Sequence, residues 1–521
     1  MFFKPNTPAA APAGKTLIGF NWIGGKEVEG DLPSFESRSP VDSRDAVGIF
    51  PECGERDVER AAKAASQAFK TWFQVPAPVR GDLIRRMGDV LAQNKERLAR
   101  VLTREVGKTM REAMGEVQEA IDTCVFFASE GRRLYGQTVP SEMPHKTLST
   151  HRRPVGVCAV MTASNFPLAV PSWKIIPAIL CGNTVVWKPS EDAPTIAYLF
   201  ARCMMDAGLP AGVVNVVNGR GPGGVGQHLI AGIDKGFFQK VSFTGSTAVG
   251  RVIGEACGRN LISPALELGG KNPMIVMEDA DLDNAVQSAL FGAFGTAGQR
   301  CTSLANLILH KPIAEAFKAR FLEAVGKAVL GNPLQHPEVL YGPMINARHA
   351  RLLCGGARWT DENRDDRVLG HIAHGAYMQP CIWEGVTPEM KLFHTEVFGP
   401  TVNLCIADDF DQALALANGT PYGLSSAIYT ENRAWVERFK AGIRAGMASI
   451  NNSTVGAEAH LPFGGLGWSG NGSREGGVWA LDSYTQWQAV NDDASGHLQL
   501  AQIDTDYALK ATYDRTHWDQ L

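Results

Sequence analysis

The chain has 521 residues and a net charge of −4, with 45% hydrophobic and 20% charged residues. This length and composition predict a soluble globular protein of two or three domains. The charge gives no basic surplus for nucleic-acid binding, and no apolar run reaches the roughly 18 residues of a membrane-spanning helix. Ten cysteines occur without a CxxC pair, and the twelve histidines form no H-E-x-x-H spacing. These patterns indicate a reducing compartment, the cytoplasm, and predict no metal site.

The first third of the chain is expected to be mainly helical. An Ala- and Pro-rich lead-in opens it, and between residues 55 and 130 apolar positions recur at three- and four-residue spacing. Residues 140–154 are rich in polar, β-prone side chains. They predict a hairpin that projects from the body and has edges that need covering, so a homodimer or homotetramer is expected.

From residue 155 onward, short apolar runs alternate with helical segments. The first series has expected strands at 155–163, 184–187, 213–217 and 240–244, with a helix at 196–207. The second series follows Gly270, with expected strands at 274–277, 305–310, 400–406 and 425–429 and a helix at 281–295. Such alternation predicts two α/β units, each with a parallel sheet covered by helices.

Two segments carry the strongest chemical signal. Cys301 lies in the run GQRCT at residues 298–302, and Glu267 opens the run ELGGKNP, 34 residues upstream. A thiol among small and polar residues can be presented to a substrate, and glycines leave a nearby carboxylate uncrowded. A nucleophile and a mobile base are the minimum set for covalent catalysis with hydrolysis of the intermediate. Other cysteines, such as Cys158 and Cys181, fit small apolar core positions.

Together these segments closely resemble the signature of the NAD(P)-dependent aldehyde dehydrogenase superfamily, over about residues 20–490. The resemblance implies an α/β fold with a Rossmann-like parallel-sheet cofactor domain, an α/β catalytic domain and a β oligomerisation arm. It implies that Cys301 attacks a small-molecule aldehyde and that Glu267 activates the water that hydrolyses the resulting thioester. The oxyanion that forms when Cys301 attacks the aldehyde would be held by the Cys301 N–H and by Asn165, which precedes Phe-Pro as in the family. Lys174 matches a family lysine and is expected in a proton relay.

Two glycine clusters compete for the cofactor phosphates. Residues 219–224 match G-x-G-x-x-G, but Pro222 lies inside and no acidic ribose ligand follows, so a Gly/Pro-rich loop is the preferred interpretation. Residues 243–250 follow a strand and open a helix, in a spacing that resembles the family's phosphate loop. There Gly245 allows close approach, while Ser246 and the free N–H groups can hold a pyrophosphate.

Further cofactor contacts are expected at the carboxyl end of the strand at 184–187, where open α/β sheets bind ligands. Lys188 and Glu191 are assigned to ribose hydroxyls, with Ser190 between them. The alternative is that both are solvated surface charges. A carboxylate at Glu191 would repel a 2′-phosphate, so NAD is expected, with NADP possible as the alternative.

Three more cofactor assignments follow from the resemblance alone. Glu396 would hold the nicotinamide ribose, Phe398 would pack beside the nicotinamide, and Gly269 would lie at the cofactor site. The resemblance also implies a largely apolar substrate pocket. Its expected lining is Glu119, Phe166, Val170, Trp173, Arg300, Thr302 and Phe463.

Arg300 and Glu119 resemble the aminoadipate-semialdehyde dehydrogenase branch, which acts on an amino-acid-like substrate. Residues 459–462, AHLP, depart from the glycine-rich stretch of that branch, and Arg300 and Glu119 could instead pair with each other. Broad specificity for aliphatic or aromatic aldehydes is therefore the first expectation, and a specific semialdehyde is the alternative. A CoA-acylating enzyme is disfavoured by Glu267, and a catalytically silent scaffold is disfavoured by Cys301.

The expected division of the chain has four parts. The dinucleotide-binding domain takes residues 1–131 and 155–269, and the catalytic domain takes 270–467. A bridging, oligomerising element takes 132–154 and 478–492. The C-terminal extension, 493–521, contains Tyr507, Tyr513 and Trp518, and its aromatic residues predict that it docks on the protein.

Overall fold

The computed structural model describes residues 14–351, 357–500 and 503. Its strands are β1 Leu17–Ile18, β2 Asn21–Ile23, β3 Lys26–Val28, β4 Leu32–Arg38, β5 Ala46–Glu52, β6 Gln137–Val139, β7 Lys146–Pro154, β8 Val157–Met161, β9 Thr184–Lys188, β10 Val214–Val216, β11 Lys240–Thr244, β12 Ala265–Glu267, β13 Asn272–Val276, β14 Leu304–His310, β15 Leu330–Gly331, β16 Val368–Leu369, β17 Cys381–Trp383, β18 Thr401–Ala407, β19 Tyr422–Gly423, β20 Ser425–Tyr429, β21 Met447–Ile450, β22 Leu466–Gly467 and β23 Thr485–Asp493.

Helices pack between and around these strands. They are α1 Glu55–Trp72, α2 Ala77–Gln93, α3 Lys95–Val106, α4 Met110–Glu130, α5 Ala169–Leu180, α6 Pro194–Asp206, α7 Val225–Asp234, α8 Thr247–Arg259, α9 Leu282–Phe294, α10 Lys311–Lys327, α11 Ala347–Arg351, α12 Lys391–His394, α13 Phe410–Ala417, α14 Arg433–Gly442 and α15 Ala480–Ser483, with a 3₁₀ turn at Gly295–Gly298. No helix within the described ranges is long and apolar enough to cross a membrane.

The first large sheet has the strand order β12-β11-β8-β9-β10-β2-β3. Its first five strands run parallel, and β2 and β3 add an antiparallel edge. Alternate residues of β8 enter two separate cores: Cys158 and Val160 pack with α2, α4, α5 and α6, whereas Val157 and Ala159 pack with α1, α7 and α8. A strand buried on both faces has to be apolar at every position, which is why β8 reads as a continuous hydrophobic run.

The second large sheet is parallel throughout, in the order β17-β18-β14-β13-β20-β21. Here too the faces alternate, because Met274 and Val276 enter one core and Ile275 enters the other. The chain passes from β12 of the first sheet straight into β13 of the second. The carboxyl end of the first sheet therefore meets the amino end of the second, and this junction forms the site.

A hairpin is present, but its first strand β6 lies just before the expected residues 140–154; β6 pairs antiparallel to β7, and β7 also pairs antiparallel with β23 over nine residues. This three-stranded sheet joins the two segments that were assigned to the bridging element. The start of the C-terminal extension lies against it, because the Ala494 N–H donates to the His145 carbonyl and the Gln499 amide donates to the Pro144 carbonyl. Tyr507, Tyr513 and Trp518 lie outside the described residues.

Candidate active site

A cavity of about 110 Å³ lies at the junction of the two large sheets. It is lined by Glu119, Asn165, Phe166, Ala169, Val170, Trp173, Thr244, Glu267, Leu268, Arg300, Cys301, Thr302, Gly456, Ala457, Phe463 and Glu475. The lining includes the expected nucleophile, base and oxyanion donor and all seven expected substrate-pocket residues. Lys174 lies behind the wall.

The strand order explains this convergence. Strands β12, β11, β8 and β9 are consecutive neighbours, and each carries an expected site segment at its carboxyl end. Glu267 ends β12, Gly245 and Ser246 follow β11, Asn165 follows β8, and Lys188 ends β9. Parallel strands bring their carboxyl ends to one edge, which is the usual ligand-binding edge of an open α/β sheet.

Cys301 follows a backbone segment with an unusual conformation. Thr296 (φ 53°, ψ 31°), Ala297 (φ 54°, ψ 35°) and Gly298 (φ 67°) are all left-handed. Such a conformation costs an L residue roughly 1–2 kcal/mol. A side chain at position 298 would place its Cβ 2.0 Å from the Gly399 carbonyl oxygen, so only glycine fits there. The turn is thus held in a strained form next to the nucleophile.

The thiol of Cys301 is not activated by its surroundings alone. Burial raises its pKa to about 12, and the nearby Glu267 and Glu396 carboxylates add to the effect. A thiol with this pKa is protonated at neutral pH, so attack on a substrate requires a base or an added positive charge.

Glu267 is a buried carboxyl group near the thiol that is suited to accept a proton from water. Burial raises its pKa well above the ordinary value, the Glu475 charge raises it further, and Lys174 and Arg474 oppose the rise. The glycines after it serve close packing: a Cβ on Gly269 would lie 2.0 Å from a Glu396 oxygen, so Gly269 is what admits Glu396.

A buried chain of polar groups runs from the cavity into the protein. Lys174 forms an ion pair with Glu475 and donates to Ser242 Oγ at 3.1 Å, and the Tyr484 hydroxyl donates to the same oxygen at 3.1 Å. No sequence motif points to Glu475, because it lies 301 residues from Lys174. Glu475 also pairs with Phe463 through two backbone hydrogen bonds, which places it at the cavity wall.

Asn165 is fixed by its neighbour in the nucleophile segment. Its side-chain amide donates to the Gln299 carbonyl at 3.0 Å. This contact holds the amide group against the turn that carries Cys301.

The remaining wall of the cavity is aromatic. The Trp173 and Phe463 rings lie 4.9 Å apart, and the Lys108 ammonium lies 3.3 Å from the centre of the Phe166 ring.

The expected alternative pairing of Arg300 with Glu119 is wrong. Arg300 instead forms an ion pair with Glu112 at 2.9 Å, because Glu112 lies two turns earlier on α4 and faces the nucleophile segment. Lys108 pairs with Glu116, whose second oxygen accepts from the Leu168 N–H at 2.8 Å. The sequence did contain a signal for the glutamates, since Glu112, Glu116 and Glu119 are spaced by four and three and so share one face of α4, and Lys108 lies just before that helix begins.

Glu119 stands between the cavity and a wider vestibule of about 990 Å³. Burial raises its pKa to about 8, and the Glu116 charge adds to this. The vestibule is also lined by Arg111, Asp122 and His460. The exposed surface of both the cavity and the vestibule is mainly apolar.

The expected adenosine-side contacts lie together at the end of β9. Lys188 donates to Glu191 at 3.1 Å and to the Pro189 carbonyl at 2.9 Å, and Ser190 Oγ accepts from the Asp192 N–H at 3.3 Å. The Gly221 N–H donates to Glu191 at 3.3 Å, so the Gly/Pro-rich loop adjoins this group. Burial would raise the pKa of Glu191, but Lys188 and the hydrogen bonds from the Glu191 and Gly221 N–H groups hold it below its ordinary value.

The expected phosphate and nicotinamide contacts flank the cavity. Ser246 caps α8, accepting from the Val249 N–H at 3.4 Å, and the Gly245 N–H donates to the Glu267 carbonyl at 3.1 Å. Glu396 accepts from the Gly270 N–H at 3.0 Å, and burial raises its pKa to about 7. Phe398 follows in the same segment and has a positive φ of 55°.

Comparison with known proteins agrees with this geometry. The model of the aldehyde dehydrogenase family matches residues 28–490. The chain belongs to the aldehyde dehydrogenase family. This aldehyde dehydrogenase is 38% identical over 490 residues to the alpha-ketoglutaric semialdehyde dehydrogenase of Bacillus subtilis, covering 91% of this chain and 97% of that protein. It is 36% identical over 462 residues to cytosolic aldehyde dehydrogenase 1 of Mus musculus, covering 84% of this chain and 88% of that protein.

A solved structure gives the same picture of the fold. The betaine aldehyde dehydrogenase of Staphylococcus aureus, in complex with NAD+, superposes with a TM-score of 0.87 at 29% identity. The match covers 92% of this chain and 96% of that one. The α/β architecture expected from the sequence, with a parallel-sheet cofactor unit and an α/β catalytic unit, is therefore confirmed.

Proposed function

We propose that this aldehyde dehydrogenase oxidises an aldehyde to a carboxylic acid with NAD+, through a thioester on Cys301. The observation that carries the proposal is that Cys301, Glu267 and Asn165 line one cavity with an apolar, aromatic wall. A water-activating carboxyl group beside the thiol favours release of a free acid over transfer to CoA. A nucleophile and base kept together in one cavity also argue against a silent scaffold.

The first half of the reaction builds the covalent intermediate. Cys301 attacks the carbonyl carbon as the thiolate and its proton passes to solvent; the positive charge of NAD+, when bound, would favour the ionised thiol. The resulting alkoxide is stabilised by the Asn165 amide and the Cys301 N–H. Bound NAD+ supplies the acceptor for the hydride that leaves as the alkoxide collapses to the thioester.

The second half releases the acid. Glu267 takes a proton from water, the water attacks the thioester carbon, and the Cys301 sulfur leaves. We propose that Glu475 and Lys174 then carry the proton away from Glu267. The ion pair between them, and the effect of both charges on the pKa of Glu267, support this relay.

The residues along the first sheet fit a dinucleotide. Thr244 Oγ1 is buried at the end of β11 and has no hydrogen-bond partner among the described residues, so a ligand hydroxyl or phosphate could satisfy it. Gly245 and Ser246 place the α8 N–H groups where a pyrophosphate would bind. Lys188 and Glu191 would hold the adenosine ribose, with Ser190 beside them. The negative Glu191 favours NAD over NADP.

On the nicotinamide side, Glu396 would bind the ribose, Phe398 would pack beside the ring, and Gly269 makes room for Glu396. The S. aureus relative in complex with NAD+ supports the choice of cofactor. The division into dinucleotide-binding, catalytic and bridging parts remains a prediction. So does a homodimer or homotetramer built on the β6–β7–β23 sheet, which light scattering would measure.

We propose a broad range of aliphatic or aromatic aldehydes as substrates, because Phe166, Val170, Trp173 and Phe463 make the cavity wall apolar. A specific semialdehyde is the second candidate. It is supported by Arg300 in the lining and by the semialdehyde activity named for the Bacillus relative. Pairing with Glu112 leaves Arg300 without a surplus positive charge, which favours the first candidate over an acid-bearing or aminoadipate-like substrate.

The test compares Cys301→Ala with Cys381→Ala, since Cys381 is a partly buried cysteine on β17 outside the cavity. NADH formation is followed with short aliphatic, aromatic and ω-semialdehyde substrates and with both cofactors. We expect no activity from Cys301→Ala and parent activity from Cys381→Ala. Activity retained by Cys301→Ala would overturn the proposal, and exclusive use of an ω-semialdehyde would favour the second candidate.

A further inference from the structure

The left-handed turn before Cys301 has a specific support outside its own segment. Thr296 and Ala297 both adopt the left-handed conformation, which is unfavourable for residues with a side chain. The turn's hydrogen bonds within its own segment, from Gln299 to the Thr296 carbonyl, do not engage the Thr296 N–H. The group that does engage it is Glu112 of α4.

One oxygen of Glu112 gathers three donors from the nucleophile segment. Oε1 accepts from the Thr296 N–H at 2.7 Å, from Thr296 Oγ1 at 2.9 Å and from Arg300 Nη2 at 2.9 Å. Arg300 Nε in turn donates to Thr296 Oγ1 at 3.0 Å, which closes the cluster. Hydrogen bonds to an ionised, buried acceptor are among the stronger ones in proteins.

The other oxygen of Glu112 is fixed to the start of its own helix. Oε2 accepts from the Thr109 N–H at 3.3 Å and from Thr109 Oγ1 at 3.0 Å, as the capping box of α4. Burial would raise the pKa of Glu112, but Arg300, Lys108 and the hydroxyl donors hold it below its ordinary value. The carboxylate is therefore ionised and anchored at both ends.

We propose that Glu112 is a positioning residue for the nucleophile: it holds the left-handed turn at Thr296 and Ala297 and thereby sets the place of Cys301. It acts through the turn and does not itself face the reacting atoms. Through the same oxygen it fixes Arg300 against the Phe166 and Phe291 rings, whose centres lie 5.6 and 4.8 Å from Arg300 Cζ. The inference rests on the proposed role of Cys301.

Glu112→Gln is the informative variant. A glutamine side chain has one acceptor atom, whereas donors face both oxygens of Glu112, so it can satisfy the helix cap or the turn but not both. Glu130→Gln is the matched control, because Glu130 is buried at the far end of α4 and accepts from Arg133 at 2.9 Å. Thr296→Gly is the rescue variant, because glycine adopts the left-handed conformation readily.

The readouts are kcat, KM for NAD+, and the rate of Cys301 alkylation by iodoacetamide without aldehyde, located by peptide mass spectrometry. We expect Glu112→Gln to lower kcat about 10- to 100-fold, as a misplaced reacting group does, and to change the alkylation rate. KM for NAD+ should stay within about twofold, and Glu130→Gln should match the parent. Adding Thr296→Gly to Glu112→Gln should raise kcat about fivefold or more above that of Glu112→Gln, in line with the backbone strain that glycine removes.

Parent values of kcat and alkylation rate in Glu112→Gln would overturn the proposal. A folded double variant no faster than Glu112→Gln would also overturn it, since a general packing role would not respond to glycine at position 296. If Glu112→Gln does not fold, Thr109→Ala tests the other anchor, and an unchanged alkylation rate there counts against the proposal. Because alkylation needs no aldehyde, this outcome is separate from a failure of the proposed reaction, which Cys301→Ala reports.

Discussion

Two buried glutamates flank the nucleophile and differ in their chemistry. Glu112 accepts hydrogen bonds at both oxygens and pairs with Arg300, so its pKa lies below the ordinary value despite burial. Glu267 is equally enclosed, but it faces Glu475 and has no ion pair of its own among the described residues, so its pKa is raised. Burial alone therefore does not decide the role of a carboxyl group. A full set of donors makes it a structural anchor, and a shortage of donors leaves it ready to accept a proton.

The largest effect is expected from removing the base. Glu267→Gln should lower the steady-state rate by about 10²- to 10⁴-fold, because water then attacks the thioester without general-base assistance. A single burst of NADH, comparable to the enzyme concentration, should precede the slow phase in stopped-flow absorbance. Turnover at the parent rate would show that another group activates water.

A smaller loss is expected from the oxyanion donor. Asn165→Ala should lower kcat about 10²- to 10³-fold, the usual result of removing one such donor. Asn165→Asp, which keeps the size but not the donor, should be similarly impaired. If Asn165→Ala retained the parent kcat, the Asn165 amide would have only its structural bond to Gln299.

The two glutamates should also affect stability in opposite directions. The folded-state pKa of Glu267 is above its ordinary 4.5, so burial of this group disfavours folding increasingly as pH rises above 4.5. Glu267→Gln should therefore melt higher than the parent at pH 7.5, and the difference should vanish near pH 4. Equal melting temperatures at pH 7.5 would contradict the raised pKa.

For Glu112 the effect of ionisation on folding stability has the opposite sign to that for Glu267. Its folded-state pKa lies below 4.5, so its ionised form stabilises the fold above pH 4.5, and this stability is lost as pH falls through the folded-state value. Glu112→Gln should melt lower than the parent at pH 7.5, and the deficit should shrink on acidification. A deficit independent of pH would assign the loss to packing and not to charge.

The smallest effect is expected at the adenosine end. Glu191→Gln removes the negative charge that would repel a 2′-phosphate, so kcat/KM for NADP+ should rise relative to NAD+ by about tenfold or less. Steady-state assays with both cofactors measure this ratio. An unchanged ratio would place the discrimination elsewhere.

The sequence predicted those parts of the molecule that depend on local pattern. The expected strands at 240–244 and 425–429 coincide with β11 and β20, because Val, Ile, Phe, Tyr and Thr favour strands and each run is short. The short edge strands β2 and β3 gave no such signal, since three residues are too few for a period. Of the residues that motifs carry, Cys301, Glu267 and Asn165 line one cavity, whereas Lys188, Ser246 and Glu396 lie outside its lining.

The ion-pair partners of the site residues were harder to predict than the positions of those residues. The sequence placed Arg300 and Glu119 in one pocket, but helix spacing puts Glu112, Glu116 and Glu119 on the same face, and only the three-dimensional structure shows which one meets Arg300. Glu475 was missed because its ion-pair partner Lys174 is remote in sequence. Contacts between distant segments depend on the sheet order, which no local pattern encodes.

The intact mass of the Glu267→Gln protein, after mixing with an aldehyde and NAD+, tests the central claim most directly. Attack by the thiol and slow hydrolysis predict a mass increase equal to the acyl group, located on the peptide that contains Cys301. An unmodified Cys301 in protein that has released a stoichiometric burst of NADH would contradict the covalent route.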